Sequence, residues 1–195
     1  MTSRLIVAVG FVAFSGMLFG QTAATPPALG YKDSYQLDYL DIVGTIHFTN
    51  AGLHPNPQSP PNNSDICVNA YVYQPVTDGP DGPLGASLAS CCSCRVAAGT
   101  VRTITPVIAG PVVVKLVATL PSRAAGAPCD ASVLPNLALG LAGGYASGMQ
   151  AWSVSQPTVL SPQVSTSKFD KAPLGSNEQT KLTQFCAAAP KCTCQ

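Results

Sequence analysis

The residues with the most chemistry to offer are sulfurs. Cys91-Cys92-Ser93-Cys94 puts three cysteines in four positions, answered near the C-terminus by Cys186 and Cys192-Thr193-Cys194. Cys67 and Cys129 complete an even set of eight. Two chemistries suit such a set. As thiolates, the C-x-C pairs Cys92/Cys94 and Cys192/Cys194 offer four soft ligands to Zn²⁺ or Cu(I), although structural zinc more often uses C-x-x-C spacing. As disulfides they would staple a fold, and an even count in an exported chain points that way.

Export is written at the start of the chain. Arg4 precedes an apolar run from Leu5 to Phe19, followed by small residues, which is the pattern of a secretory signal peptide over residues 1–24. The run is shorter than the roughly 20 residues a bilayer requires. No stable membrane anchor is therefore expected after cleavage, and the expected location is extracellular, at the cell surface or periplasmic. Residues 25–34, rich in Ala, Thr and Pro, read as a flexible leader before a single domain over 35–195.

Without Arg4, nine Lys/Arg face nine Asp/Glu, and neither sign forms a block. Nucleic acid is thereby disfavoured as a partner. Charged residues are only 10% of the chain, against about 25% in typical soluble domains. So little charge gives weak repulsion between copies, and self-association or contact with other extracellular proteins is the expected partnership.

The elements that must position the cysteines read mainly as strands. Tyr35, Leu37 and Tyr39 alternate with polar residues, and Thr45–Thr49 follows after Gly44. Asn50-Ala51-Gly52 predicts a turn, and the proline-rich 54–63 stretch a loop. Ile66–Tyr73 would put Ile66, Val68, Ala70 and Val72 on one face and Cys67, Asn69, Tyr71 and Tyr73 on the other. A strand and then a corner are expected over 84–96, and a short strand at 101–104. Pro111–Thr119 is apolar enough for a central strand covered on both faces, with Pro111 at the first position, where a strand tolerates proline. Residues 134–141 leave room for a short helix within a loop. Met149–Val154 reads as a strand with Trp152 in or at the rim of the core, and 157–166 as another. Ser176-x-x-Gln179 predicts a capping box opening a helix over 177–189, with Leu182, Phe185, Cys186 and Ala189 on its buried face. The fold class is mainly β, an antiparallel sandwich or partly open barrel with a C-terminal helix, stapled by disulfides.

In a strand, Cys91 and Cys92 face opposite ways, while Cys92 and Cys94 share a face. The simplest arithmetic sends Cys91, Cys92 and Cys94 to Cys186, Cys192 and Cys194, leaving Cys67 for Cys129. It is one class of solution among the many that eight cysteines allow.

Other constellations are weaker. His47 and His54 have no nucleophile elbow beside them, so no catalytic residue is assigned. Asp78-Gly79-Pro80-Asp81-Gly82 fits a tight turn better than a Ca²⁺ loop, and no cofactor is expected. Tyr31, Tyr35, Tyr39, Tyr71 and Tyr73 serve either packing or a sugar- or partner-binding face.

At Ile66–Tyr73, Cys91-Cys92-Ser93-Cys94, Cys129, Met149-Gln150-Ala151-Trp152 and the closing cysteines, the chain resembles a family of small secreted cysteine-rich proteins of acidobacterial-type soil bacteria. The likeness spans roughly residues 44–195. It implies secretion and a shared fold, and it carries over no catalytic residue. Together these readings lead to a secreted, non-enzymatic structural or interaction protein. A filament or matrix subunit is the sharper form, with residues 31–49 adding as a strand to a neighbour's sheet. The alternatives are a carbohydrate-binding module, a hydrolase, or a cysteine-rich metal-binding protein.

Overall fold

A computed structural model describes residues 34–40, 44–53, 64–76, 85–106, 110–121, 128–135, 144–155, 164–189 and 191–195. The expected signal peptide, Tyr31, His54, the proline-rich loop, the Asp78–Pro83 turn and most of the 134–141 and 157–166 segments lie outside those residues.

Among the described residues, nine strands and one helix follow in chain order: β1 Tyr35–Leu40, β2 Thr45–Asn50, β3 Ile66–Val76, β4 Gly85–Val96, β5 Val101–Ile104, β6 Val112–Thr119, β7 Met149–Ser155, β8 Ser165–Lys168, β9 Asp170–Lys171 and α1 Ser176–Ala188. They form two antiparallel sheets, ordered β4-β3-β6-β1-β9 and β5-β2-β7-β8. The chain is an open, disulfide-stapled β-sandwich with a C-terminal helix, the expected class.

Alternation explains the layers. Ile66, Val68, Ala70 and Val72 of β3 join Val112, Val114, Leu116 and Ala118 of β6 on the inner face of the five-stranded sheet. Opposite them lie Ile46 and Phe48 of β2, Ile104 of β5, and Met149 and Ala151 of β7. The other face of the larger sheet carries Tyr35, Tyr71, Cys91 and Val117, packed beneath Leu182 and Cys186 of α1 with Ala131, Leu134 and Tyr145. The larger sheet is thus buried on both sides, and β6 lies in its middle, as its apolar run implies.

Two crossings lace the sandwich at its sides. Residues 165–171 pass from the smaller sheet to the larger, pairing with β7 and then with β1, while Phe169 plugs the core between them at 2% exposure. On the other side, the C-terminal tail bridges the sheets. Lys191 pairs with Cys91 of β4, and Cys194 with Ile104 of β5.

Four local expectations change. The cysteine cluster lies inside a continuous β4, with a register shift opposite Val72/Tyr73 rather than a corner. The capping box does not form: Gly175 is the N-cap, without a side-chain hydrogen bond, because the Gln179 amide donates instead to the Pro135 carbonyl. The buried stripe of α1 is Gln179, Leu182 and Cys186. Phe185 is 49% exposed, since a helix resting on a sheet along one narrow line leaves its flanks to solvent. Trp152 stands on the outer face of the smaller sheet, paired across strands with His47 and Lys168 rather than joining the core.

Gly44 shows how tightly the sheets constrain the backbone. A Cβ there would lie 1.9 Å from the Val154 carbonyl oxygen, at the start of the β2–β7 pairing. Gly44→Ala is expected to force that ladder apart and lower stability by about 1–3 kcal/mol, read as a drop in the denaturant midpoint with the disulfides intact.

Candidate functional site

The sulfurs meet as strand geometry requires. Cys91 points to the helix side and reaches Cys186, while Cys92 and Cys94 point inward and reach Cys192 and Cys194. Their Cα–Cα distances are 5.8, 5.0 and 5.8 Å. Cys67 joins Cys129 at 5.6 Å. All eight cysteines are thus paired, in the three-to-three pattern plus the remaining pair. The Sγ atoms of Cys92, Cys94 and Cys194 lie within 4.8 Å of one another.

Backbone bonds hold the tail against the strand independently of sulfur. The Cys192 N–H donates to the Cys91 carbonyl at 3.1 Å, and Gln195 and Thr103 exchange two bonds of 2.9 and 3.0 Å. Lys191 folds back to donate to the Cys186 carbonyl at 2.6 Å, with its ammonium 3.5 Å from both sulfurs of the Cys91–Cys186 bridge. A cation is well placed at that end of a helix. Beside this hub opens a cleft of about 280 Å³ lined by Cys92, Ser93, Cys129, Asp130, Ala131, Lys191 and Cys192. At its rim, the Ser132 hydroxyl and amide both donate to Asp130 and hold its carboxyl below the usual range.

Under the helix the tyrosines form a packed layer with their hydroxyls anchored. Tyr71 donates to the Ala131 carbonyl at 2.7 Å, Tyr145 to the Pro135 carbonyl at 3.0 Å, and Tyr35 to the Glu178 carboxylate at 2.6 Å. Lys115 donates to the same Glu178 oxygen at 2.5 Å and lies 5.4 Å from the centre of the Tyr73 ring. Of the described tyrosines considered for a binding face, Tyr35 and Tyr71 are therefore core, Tyr73 is half-buried, and Tyr39 stands open at 58% exposure. The Lys115–Glu178–Tyr35 cluster and Tyr145 escaped the sequence reading. A lone lysine in an otherwise apolar strand was the available signal.

A second aromatic feature lies on the outer face of the other sheet. His47 and Trp152 stack with ring centroids 5.4 Å apart and planes 7° from parallel, both half-buried, amid Thr45, Thr49 and Thr103. His47 has neither a nucleophile nor a carboxylate among the hydrogen bonds and ion pairs of the described residues.

Fold and hub together define a small two-sheet β domain whose C-terminal helix and tail are riveted to one strand, a construction suited to an oxidising extracellular or periplasmic environment. Among the described residues, no helix is long and apolar enough to cross a membrane. Comparison with family models, curated proteins and solved structures finds no match.

The tyrosine layer has a pH consequence. Burial pushes the Tyr35, Tyr71 and Tyr145 phenols far above the ordinary value of 10.0, with Glu178 adding to the effect at Tyr35. Below about pH 10 both folded and unfolded chains keep these protons. Above it only the unfolded chain releases them, so stability falls as pH rises, by up to about 1.4 kcal/mol per pH unit for each phenol held protonated. Spectrophotometric titration should show Tyr35, Tyr71 and Tyr145 ionising only with unfolding. Titration of all six tyrosines near pH 10 with the fold intact would show the layer to be open.

Proposed function

We propose that this is a secreted, non-enzymatic structural or interaction protein that associates with copies of itself by strand addition. The observation that carries the reading is the outer edge of β4. Residues 85–90 read Gly-Ala-Ser-Leu-Ala-Ser, without a charge or a proline, and β4 ends its sheet with a neighbour on one side only. Among the described residues, the tail covers that edge from Cys91 onward. Natural edges are usually blunted by charges, prolines, bulges or cover; among the described residues this half-strand has the register shift opposite Val72/Tyr73 but no charge, proline or covering strand. The Ser90 hydroxyl, buried without a hydrogen-bond partner among the described residues, lies at the same place. The segment first considered as the donor is already engaged: β1 is paired on both sides by β6 and β9, and β2 by β5 and β7. Strand addition therefore falls to β4, and antiparallel pairing of two such edges would join two five-stranded sheets into one. The low charge of the chain supports the same reading by weakening repulsion between copies.

The expected result is concentration-dependent association of the purified oxidised protein in analytical ultracentrifugation, with polymers or dimers visible by electron microscopy. Ala86→Lys with Ser87→Lys, two exposed edge positions, should leave it monomeric with an unchanged thermal midpoint. A wild-type protein that stays monomeric at high concentration would sink the proposal.

The His47–Trp152 stack favours a second reading, carbohydrate binding on the flat outer face of the smaller sheet, since aromatic planes pack well against sugar rings. The chain has a single tryptophan, so its fluorescence reports directly. Titration with soluble polysaccharide should shift the emission, and Trp152→Ala should abolish sedimentation with insoluble glycan. Equal sedimentation of both proteins would exclude this face.

A further inference from the structure

The four bridges are not equivalent. Cys91–Cys186 is wholly buried beneath α1, and Cys67–Cys129, whose partly exposed Cys129 lines the cleft beside the hub, lies outside the group of close sulfurs. Cys92–Cys192 and Cys94–Cys194 instead lie side by side, three of their sulfurs within 4.8 Å of each other and the fourth bonded to one of the three. Cys192 and Cys194 are partly exposed, and the Cys92–Cys192 bridge lines the open cleft. A reductant in solution therefore meets these two bridges before it meets the one beneath the helix.

The tail would not leave on their reduction. The main-chain bonds at Cys91, Thr103 and Gln195 remain, as do the Lys191 cap on Cys186 and the buried Cys91–Cys186 bridge. Four thiols would then face one another from two backbone segments that are each fixed in place.

The geometry points to a second state of this hub, in which Cys92, Cys94, Cys192 and Cys194, once reduced, bind one Zn²⁺ ion as a tetrathiolate site. Each disulfide takes two electrons and two protons from a dithiol, which departs as its cyclic disulfide, so two equivalents yield four thiols. One Zn²⁺ then displaces four protons and binds four thiolates. A Zn–S distance of about 2.3 Å sets sulfurs roughly 3.8 Å apart in a tetrahedron, so the two sulfurs of each reduced bridge must separate from bonding distance, while those of neighbouring bridges among Cys92, Cys94 and Cys194 close by at most about an ångström. The site is independent of any pairing at the β4 edge.

The test begins with the full oxidised chain, treated anaerobically with a limited amount of dithiol and then freed of it. Alkylation mapping should show Cys92, Cys94, Cys192 and Cys194 released together, with the buried Cys91–Cys186 bridge intact. Co²⁺ added to this form should bind at one ion per chain, with sulfur-to-cobalt charge-transfer bands and the visible bands of tetrahedral cobalt, and Zn²⁺ should displace it. Cys92→Ser with Cys192→Ser, and Cys94→Ser with Cys194→Ser, should each abolish those bands, whereas Cys67→Ser with Cys129→Ser should keep them. Because a serine pair can loosen the fold, reduced wild-type protein alkylated at the four thiols serves as a second control and should bind nothing. Release of Cys91 and Cys186 first, cobalt bound without thiolate bands, or bands that survive in either outer-pair variant would overturn the assignment.

Discussion

Successive side chains of a β-strand point to opposite faces, and in β4 this rule governs where the last part of the chain can go. Cys91 must be met from the helix side, Cys92 and Cys94 from the side facing the other sheet. A single helix cannot serve both, so α1 delivers Cys186 to the first, and an extended tail then rounds the edge of the sheet to reach the other two. The register follows. Cys92 to Cys192 and Cys94 to Cys194 span the same 100 residues, which is possible only if the tail runs parallel to β4 and in step with it, as the parallel bridge between Cys91 and Lys191 shows. The same tail then touches β5 at Ile104, so one strand's alternation closes a whole side of the sandwich.

The three bridges of the hub do not stabilise in proportion to their number. Any one of them closes a loop of about 100 residues, which removes about 4.7 kcal/mol of chain entropy from the unfolded state. The other two then close rings of fewer than about ten residues, at roughly 2–2.5 kcal/mol each in the same treatment. What the second and third contribute is placement. A helix whose buried stripe includes only Leu182 and Cys186 as apolar residues has little area to hold it, and Glu178, shared by Lys115 and Tyr35, adds direction more than energy. Covalent pins above and below the strand fix the helix and the tail separately.

Much of this was legible in the sequence because it rests on periodicity. The two faces of β3, the central place of β6 and the opposed faces of Cys91 and Cys92 all follow from a period of two and from apolar content. What escaped depends on partners remote in sequence. Ser176 and Gln179 have the spacing of a capping box, yet the Pro135 carbonyl, 44 residues away, captures the glutamine. Phe185 has the helical spacing of a core residue, but how wide a stripe the sheet can cover is a property of packing. Trp152 lies in a strand whose alternation is clear, and only the pairing with β2 decides which face is outward. The sequence carried the cysteine pairing further than the helix details because a disulfide needs only that two residues share a face and lie within reach.

The hub also determines where the surface remains open. The tail protects β4 from Cys91 onward and the outer edge of β5 near Ile104, while the 165–171 segment crosses the opposite side. The uncharged first half of β4 lies just beyond the last residue the tail can cover, because Cys186 must first be delivered to Cys91 before the tail begins. Extending cover toward Gly85 would require the tail to start earlier along the strand, which the Cys91–Cys186 bridge forbids. The exposed edge is thus a geometric consequence of how the C-terminus is fastened. A lock this rigid would hold the open half-strand in a fixed shape, and a rigid edge loses less conformational entropy on pairing than a mobile one.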